Sequence, residues 1–233
     1  MLEHDLGYEH LVRAEVGIAV LHIAPGKRAL MKGIPSPNRF DEQPDALSSL
    51  HIDSIEYAVF MLRICIIQGS LKPASRTAIV IDEVVTKLKK KKNVKIDIID
   101  LRKIDMQFCD GRDLKDYNKD MRAAHATMEK ADGYIFGMPV YQYSISGPLK
   151  NFLDIVSSAM SNKTAGIVCN SGGVRSYLAS VELMKILSFE ENVTTVQPTV
   201  HTWVEDFASG KIHNEDIHAR IDKMIEALLK ALL

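Results

Sequence analysis

Cysteine is scarce in this chain: three residues in 233, far apart. That spacing makes neither a disulfide framework nor a set of metal ligands. An excess of charge of either sign is missing too. With 29 basic against 30 acidic residues, nothing electrostatic favours nucleic acid as a partner. The one basic run, Lys89 to Lys92, falls where a helix should end and reads as a solvated last turn. Membrane-length apolar runs are also lacking. The stretch from Val16 to Ala24 is too short to span a bilayer, and the acidic Glu3, Asp5 and Glu9 are unlike the basic opening of a secretory signal. The protein is therefore expected to be cytoplasmic, with no membrane and no nucleic acid among its partners. Cys65 and Cys169 sit in apolar runs as small core residues, and Cys109 in a loop.

What is present suffices for a sizeable core, with 46% hydrophobic and 25% charged residues. Residues 1–60 read as an N-terminal arm, packed on the domain or on a neighbouring subunit; a poorly specified leader is the alternative. Turns are expected at Pro25-Gly26 and around Pro35, Pro37 and Pro44. His4, His10, His22 and His51 are scattered there and suit surface or packing roles better than metal ligation.

From Met61 the pattern is regular, and residues 61–233 are expected to form the compact domain. Leu62 opens an apolar, β-branched run that breaks at Gly69, which reads as a buried strand of a parallel sheet. A helix follows from about Ser75 to Lys92, with Ser75 as its N-cap and Ile79, Val80, Val84 and Leu88 near one face. Val94 to Ile99 alternates apolar and charged residues, as a strand near an edge does. Residues 102–117 are loop-like. Then come a helix over 119–130, a buried strand over 133–138, a helix over 147–160 and a strand over 165–169. A helix over 175–187, a strand over 193–200 interrupted late by Pro198, and a last helix over 214–232 complete the chain. Five strands alternating with helices predict an α/β fold. Its form is a three-layer, doubly wound, flavodoxin-like arrangement with a five-stranded parallel sheet in the order 2-1-3-4-5.

In such a sheet ligands bind beyond the carboxyl ends of the strands, so the loops after strands one, three and four should be chemically unusual together. The first, Gly69 to Thr77, carries hydroxyls on Ser70, Ser75 and Thr77 and cations on Lys72 and Arg76. It feeds a helix N-terminus, a natural seat for a phosphate. It is neither a Walker A loop nor a three-glycine dinucleotide fingerprint, and taken alone it is equally readable as an ordinary turn. The second loop, Pro139, Val140, Tyr141, Gln142, Tyr143 and Ser144, offers aromatics and a rigid proline able to border a flat heteroaromatic ring. The third holds Ser171, Gly172 and Gly173, paired glycines that let backbone approach a ligand closely.

These stretches, with Gly147-Pro148-Leu149-Lys150-Asn151-Phe152-Leu153-Asp154 after the second loop, resemble the NADPH-dependent FMN reductase family from Met61 onward. The resemblance implies that Ser70, Lys72, Ser75, Arg76 and Thr77 surround the FMN phosphate. It implies likewise that Pro139, Val140, Tyr141, Gln142, Tyr143 and Ser144 border the isoalloxazine ring, with Ser171, Gly172 and Gly173 closing the far side. Lys72 stands where many members carry arginine, keeping the charge without the two-pronged geometry. Iron–sulfur flavoproteins share the fold but need a cysteine cluster after strand two, where only Cys109 occurs.

The implied activity is hydride transfer from NADPH or NADH to flavin and on to a small acceptor: free flavin, a quinone, an azo compound or a metal ion. A homodimer or homotetramer is implied as well. The alternative is a flavodoxin-type FMN electron carrier without a nicotinamide site, against which the balanced charge speaks. A phosphate-binding module without redox chemistry would leave the tyrosine loop idle. The flavin itself requires no acid or base, so no catalytic residue is named. His201 and Trp203, the only tryptophan, follow strand five, with packing the simpler role for each.

Overall fold

The structure, a computed structural model, describes residues 61–233 throughout together with the strand backbones 11–12, 18–24 and 27–32. The chain divides into two units, Met1–Met61 with Leu233, and Leu62–Leu232. In the first unit, β1 (Leu11–Val12), β2 (Ile18–Ala24) and β3 (Lys27–Lys32) pair antiparallel in that order. The sequence reading did not anticipate strands there. The prolines and the packing expected of the arm lie outside the described residues.

The second unit is built on β4 (Leu62–Gln68), β5 (Val94–Asp100), β6 (Gly133–Tyr141), β8 (Thr164–Asn170) and β10 (Val200–Thr202). They lie parallel in the order β5-β4-β6-β8-β10, which is 2-1-3-4-5 among themselves. Two short strands bring the sheet to seven: β7 (Ser144–Ile145) folds back on β6, and β9 (Thr194–Thr195) pairs with β8. The single fifth strand expected over 193–200 is thus two pieces, because Pro198 has no N–H to carry a ladder through. A hairpin of β11 (Phe207–Ala208) and β12 (Lys211–Ile212) follows.

Side chains alternate across the central strands, and each face meets its own helices. Cys65, Ile67, Tyr134, Phe136, Met138, Ile167 and Cys169 form one core with α2 (Lys119–Glu129), α3 (Gly147–Val156) and α4 (Ser180–Glu191). Ile64, Ile66, Ile135 and Val168 form the other with α1 (Arg76–Leu88) and α5 (Glu215–Ala231). That makes three layers. The buried face of α1 is Val80, Ile81, Val84, Val85 and Leu88; Ile79, placed on it by the sequence reading, is half-buried. The helix expected from Arg175 begins only at Ser180. Residues Val174–Ala179 form a 3-10 segment instead, since Val174, Tyr177 and Leu178 are exposed and offer no buried stripe to hold a full helix.

One close approach sets the carboxyl edge. The Gly69 N–H donates to Gly137 O at 2.8 Å, and a Cβ on Gly69 would stand 2.7 Å from that same oxygen and 3.1 Å from Leu149 Cδ2. We therefore expect Gly69→Ala to lower unfolding free energy by roughly 1–3 kcal/mol. Denaturant unfolding of the two proteins checks this; coincident midpoints would mean that the strands can part without cost.

Candidate functional site

The three loops leave the sheet from neighbouring positions. Gln68 stands opposite Gly137, Gly137 opposite Val168, Pro139 opposite Asn170 and Asn170 opposite Thr202. Adjacent strands are about 4.8 Å apart, so the loops rise side by side over the switch point between β4 and β6.

In the first loop Ser70, Ser75 and Thr77 are buried, while Lys72 and Arg76 are exposed. Ser75 is the N-cap of α1, its Oγ accepting from the Ala78 N–H at 3.2 Å. Ser70 Oγ accepts from the Lys72 N–H at 3.4 Å. The Arg76 guanidinium lies 5.8 Å from the centre of the Phe207 ring, a cation–π contact that ties α1 to β11. Thr77 Cγ2 would be 3.2 Å from a Cβ on Gly137, so its methyl packs toward β6. The first-turn N–H groups of α1 have no intrahelical acceptors and, with the helix dipole and two cations, suit an anion.

The second loop is tighter than expected. Pro139, Val140 and Tyr141 belong to β6 itself, and Pro139 and Val140 are buried. Pro139 is tolerated because β4 last pairs with β6 at Gly137, so no bond to β4 is lost at 139. Tyr141 pairs with Ser144, leaving Gln142 and Tyr143 as a two-residue turn with φ of 50° and 62°. Both values are positive, as a type I′ hairpin requires, yet neither residue is Gly, Asn or Asp. That strain, on the order of 1 kcal/mol each, is held where Tyr141 and Tyr143 stand 50% and 66% exposed. Ser144 is half-buried in β7.

In the third loop the Ser171 N–H donates to Thr202 O at 3.0 Å, and Ser171 Oγ donates to Gly173 O at 2.7 Å. With that hydroxyl proton committed, His201 Nε2, 2.9 Å from Ser171 Oγ, must be the donor in their contact. A Cβ on Gly172 or Gly173 would meet nothing within 4 Å, and neither has a positive φ. The chain's own packing therefore does not call for glycine there. Open space above bare backbone fits a flat ring lying against it, as the cation-bearing first loop fits a phosphate. The grooves of about 420 and 350 Å³ that flank α4 are lined by none of these residues.

Sequence reasoning passed over several residues that shape this edge. Ser146 is the N-cap residue of α3 but makes no side-chain capping bond; its hydroxyl donates to Gly69 O at 3.5 Å and links the second loop to the first. Gln68, a polar residue closing the apolar run 64–67 of β4, was a signal in plain view. Asp100 and Arg102 cluster with it only through the β4–β5 register, which no local pattern reveals. Trp203 is half-buried, with its N–H donating to Asp206 Oδ2 at 2.8 Å, a packing and turn role.

A crevice of this make-up, on this sheet order, is that of the flavodoxin-like flavin oxidoreductases. Residues 62–207 match the family described as NADPH-dependent FMN reductase, and the chain belongs to it. Over 126 residues it is 36% identical to an NAD(P)H-dependent FAD/FMN reductase of Geobacillus thermodenitrificans, spanning 53% of this chain and 68% of that one. A protein of Oryza sativa subsp. japonica named "Probable NADPH:quinone oxidoreductase 2" is 40% identical over 83 residues, 34% of this chain and 38% of the relative. In fold, the apo form of an NADH:FMN oxidoreductase aligns with a TM-score of 0.63 at 23% identity, over 74% of this chain and 91% of the other. Membership makes the protein an enzyme that uses FMN and a nicotinamide electron donor, and disfavours the flavodoxin-type carrier. Among the described residues no helix is long and apolar enough to cross a membrane.

Burial, with a smaller push from the Arg220 charge, holds the His201 imidazole below its ordinary value of 6.5, against an opposing pull from Asp206. The unfolded chain then binds the proton more readily than the folded one. Stability from this group is full above about pH 6.5 and is lost as pH falls toward the folded value. We expect His201→Gln to flatten the fall in unfolding free energy between pH 6.5 and pH 5; identical slopes in denaturant titrations at these pH values would contradict it.

Proposed function

We propose that FMN lies along the carboxyl edge of β4, β6 and β8, with its phosphate at residues 70–77 and its ring between the Tyr141–Tyr143 hairpin and the Ser171–Gly173 loop. Ser70, Lys72, Ser75, Arg76 and Thr77 take the phosphate in this reading. Pro139, Val140, Tyr141, Gln142, Tyr143 and Ser144 border the ring, and Ser171, Gly172 and Gly173 cover its far edge. The observation that carries the reading is the shared register of the three loops, which gathers a cationic helix N-terminus, exposed tyrosines and bare glycine backbone at one sheet end.

Held by these residues, FMN would supply two-electron redox chemistry with a nicotinamide as donor. What the chain contributes is placement. The N-terminus of α1 and Lys72 fix one end of the cofactor by charge and N–H donation. The strained hairpin keeps two aromatic faces turned outward. Backbone N–H groups at Gly172 and Gly173, free of side chains, can come within hydrogen-bonding reach of the ring's carbonyl edge and favour negative charge there.

The acceptor is a small molecule such as free flavin, a quinone, an azo compound or a metal ion; the names of the Geobacillus and rice relatives support flavin and quinone. In the same reading, residues 61–233 are the FMN-binding domain and residues 1–60 an arm. The protein works in the cytoplasm, where reduced nicotinamide is supplied. It assembles as a homodimer or homotetramer, which the exposed Val174, Tyr177, Leu178 and Val181 beside the third loop support.

Visible spectroscopy tests the core of this reading. Added FMN should bind, and its absorbance near 450 nm (roughly, as for any oxidised flavin) should bleach on anaerobic addition of NADPH or NADH. A chain that binds no FMN would end the proposal. Lys72→Ala should weaken FMN by about tenfold or more, the worth of one charge-assisted contact. Riboflavin, which lacks the phosphate, should be held as before; equal losses for both in fluorescence titrations would move the phosphate elsewhere.

A further inference from the structure

Behind the first loop a chain of polar contacts runs from buried Gln68 to the surface residue Arg102, and it meets the proposed phosphate site at the backbone of Ser70. Gln68, only 2% exposed, ends β4 in register with Asp100 at the end of β5. Its Nε2 donates to Ser70 O at 2.8 Å and to Asp100 Oδ1 at 3.0 Å, and its Oε1 accepts from the Ser70 N–H at 2.6 Å. One side chain thus clamps both backbone polar groups of Ser70. Asp100 is held in turn by Arg102, whose Nη2 donates to Oδ2 at 2.6 Å and whose Nε donates to Oδ1 at 2.9 Å. Arg102 then reaches over the loop from the other side, Nη1 donating to Pro73 O at 3.3 Å.

We propose that Arg102, Asp100 and Gln68 form a positioning relay that holds residues 70–73 in the one shape able to receive the FMN phosphate. This rests on the phosphate site of the preceding section. The geometry explains each member. A primary amide such as Gln68 can flip; here the Ser70 N–H on Oε1 and Ser70 O on Nε2 set its direction, and an acceptor on the second N–H reinforces it. Asp100 is that acceptor, and flipping the amide would set its oxygen against the carboxylate. Burial pushes the Asp100 carboxyl up, but Arg102, by hydrogen bonds and charge, and the Gln68 amide outweigh it and hold the group below its ordinary 3.8. The acceptor therefore stays ionised at neutral pH. A bare carboxylate beneath a phosphate loop would repel the ligand; Arg102 cancels that charge and holds the Pro73 end while Gln68 holds the Ser70 end, so the relay adds order without adding net charge. Its gain is preorganisation: the loop's ordering cost is met on folding rather than on binding.

The test compares FMN and riboflavin affinities, by fluorescence titration of the full chain, for the parent and for Gln68→Leu, Arg102→Ala and Arg102→Lys. The parent should prefer FMN. All three variants should lose about five- to tenfold in FMN affinity with riboflavin unchanged. Because Gln68 is buried, Gln68→Leu is also checked for a cooperative thermal transition; Arg102 is on the surface, and its variants carry the test if that protein does not fold. Lysine keeps the charge but not the planar fork. Recovery of FMN affinity by Arg102→Lys would reduce the relay to simple charge attraction and overturn it. An unchanged FMN-to-riboflavin ratio, or equal losses for both ligands, would overturn it as well. A parent that binds both ligands equally has no phosphate site at this loop, and the relay falls with the reading it rests on. The same parent discriminating while every variant discriminates equally well removes the relay alone.

Discussion

The site depends on how closely β4 and β6 run together at their carboxyl ends. A backbone hydrogen bond from Gly69 to Gly137 holds the two strands past the last ladder pair, where any Cβ at 69 would collide with the acceptor itself. Everything on that edge inherits its position from this contact. The first loop turns off at Ser70, Ser146 reaches back to Gly69 O, and Leu149 packs against the same glycine. Two loops far apart in sequence are thereby welded into one surface.

Around that contact the two cores do different work. The face of Tyr134, Phe136 and Phe152 carries the large aromatic side chains and fixes α2, α3 and α4. The opposite face, made almost wholly of isoleucine, valine and leucine, seats α1 and α5 and so aims the N-terminus of α1 at the carboxyl edge. Gly137 lets Ile81 and Thr77 press onto β6, which draws the first turn of α1 down to the sheet. The positive end of that helix is placed by core packing rather than by any ligand. Strain is confined to the rim, in the Gln142–Tyr143 turn, where backbone of unfavourable hand keeps aromatic side chains exposed.

Much of this was legible in the residues. Alternating apolar runs and helical periods disclosed the five parallel strands and their helices, because burial on both faces leaves a continuous hydrophobic signature. Ser75 as N-cap followed from its place before Arg76, and the edge position of β5 from its charged alternation. Reading failed where tertiary context overrides local pattern. Pro139 to Tyr141 look like loop residues, yet they extend β6 because the neighbouring β4 ladder has already ended. Residues 174–179 have helical spacing but no core to bury against. The strand expected around Pro198 split, as a residue without an N–H must split it.

By itself, the sequence determined the class of fold and which residue types end each strand, since these follow from local periodicity. Only the tertiary structure decided which polar groups act together. Gln68 lies 32 residues before Asp100 and its neighbour Arg102, and they meet because β4 and β5 pair in one register and no other. His201 reaches Ser171 for the same reason across β8 and β10. A one-residue slip would turn each of these side chains to the opposite face. Register is a property of the assembled sheet, so the relay and the loop geometry exist only once the core has closed.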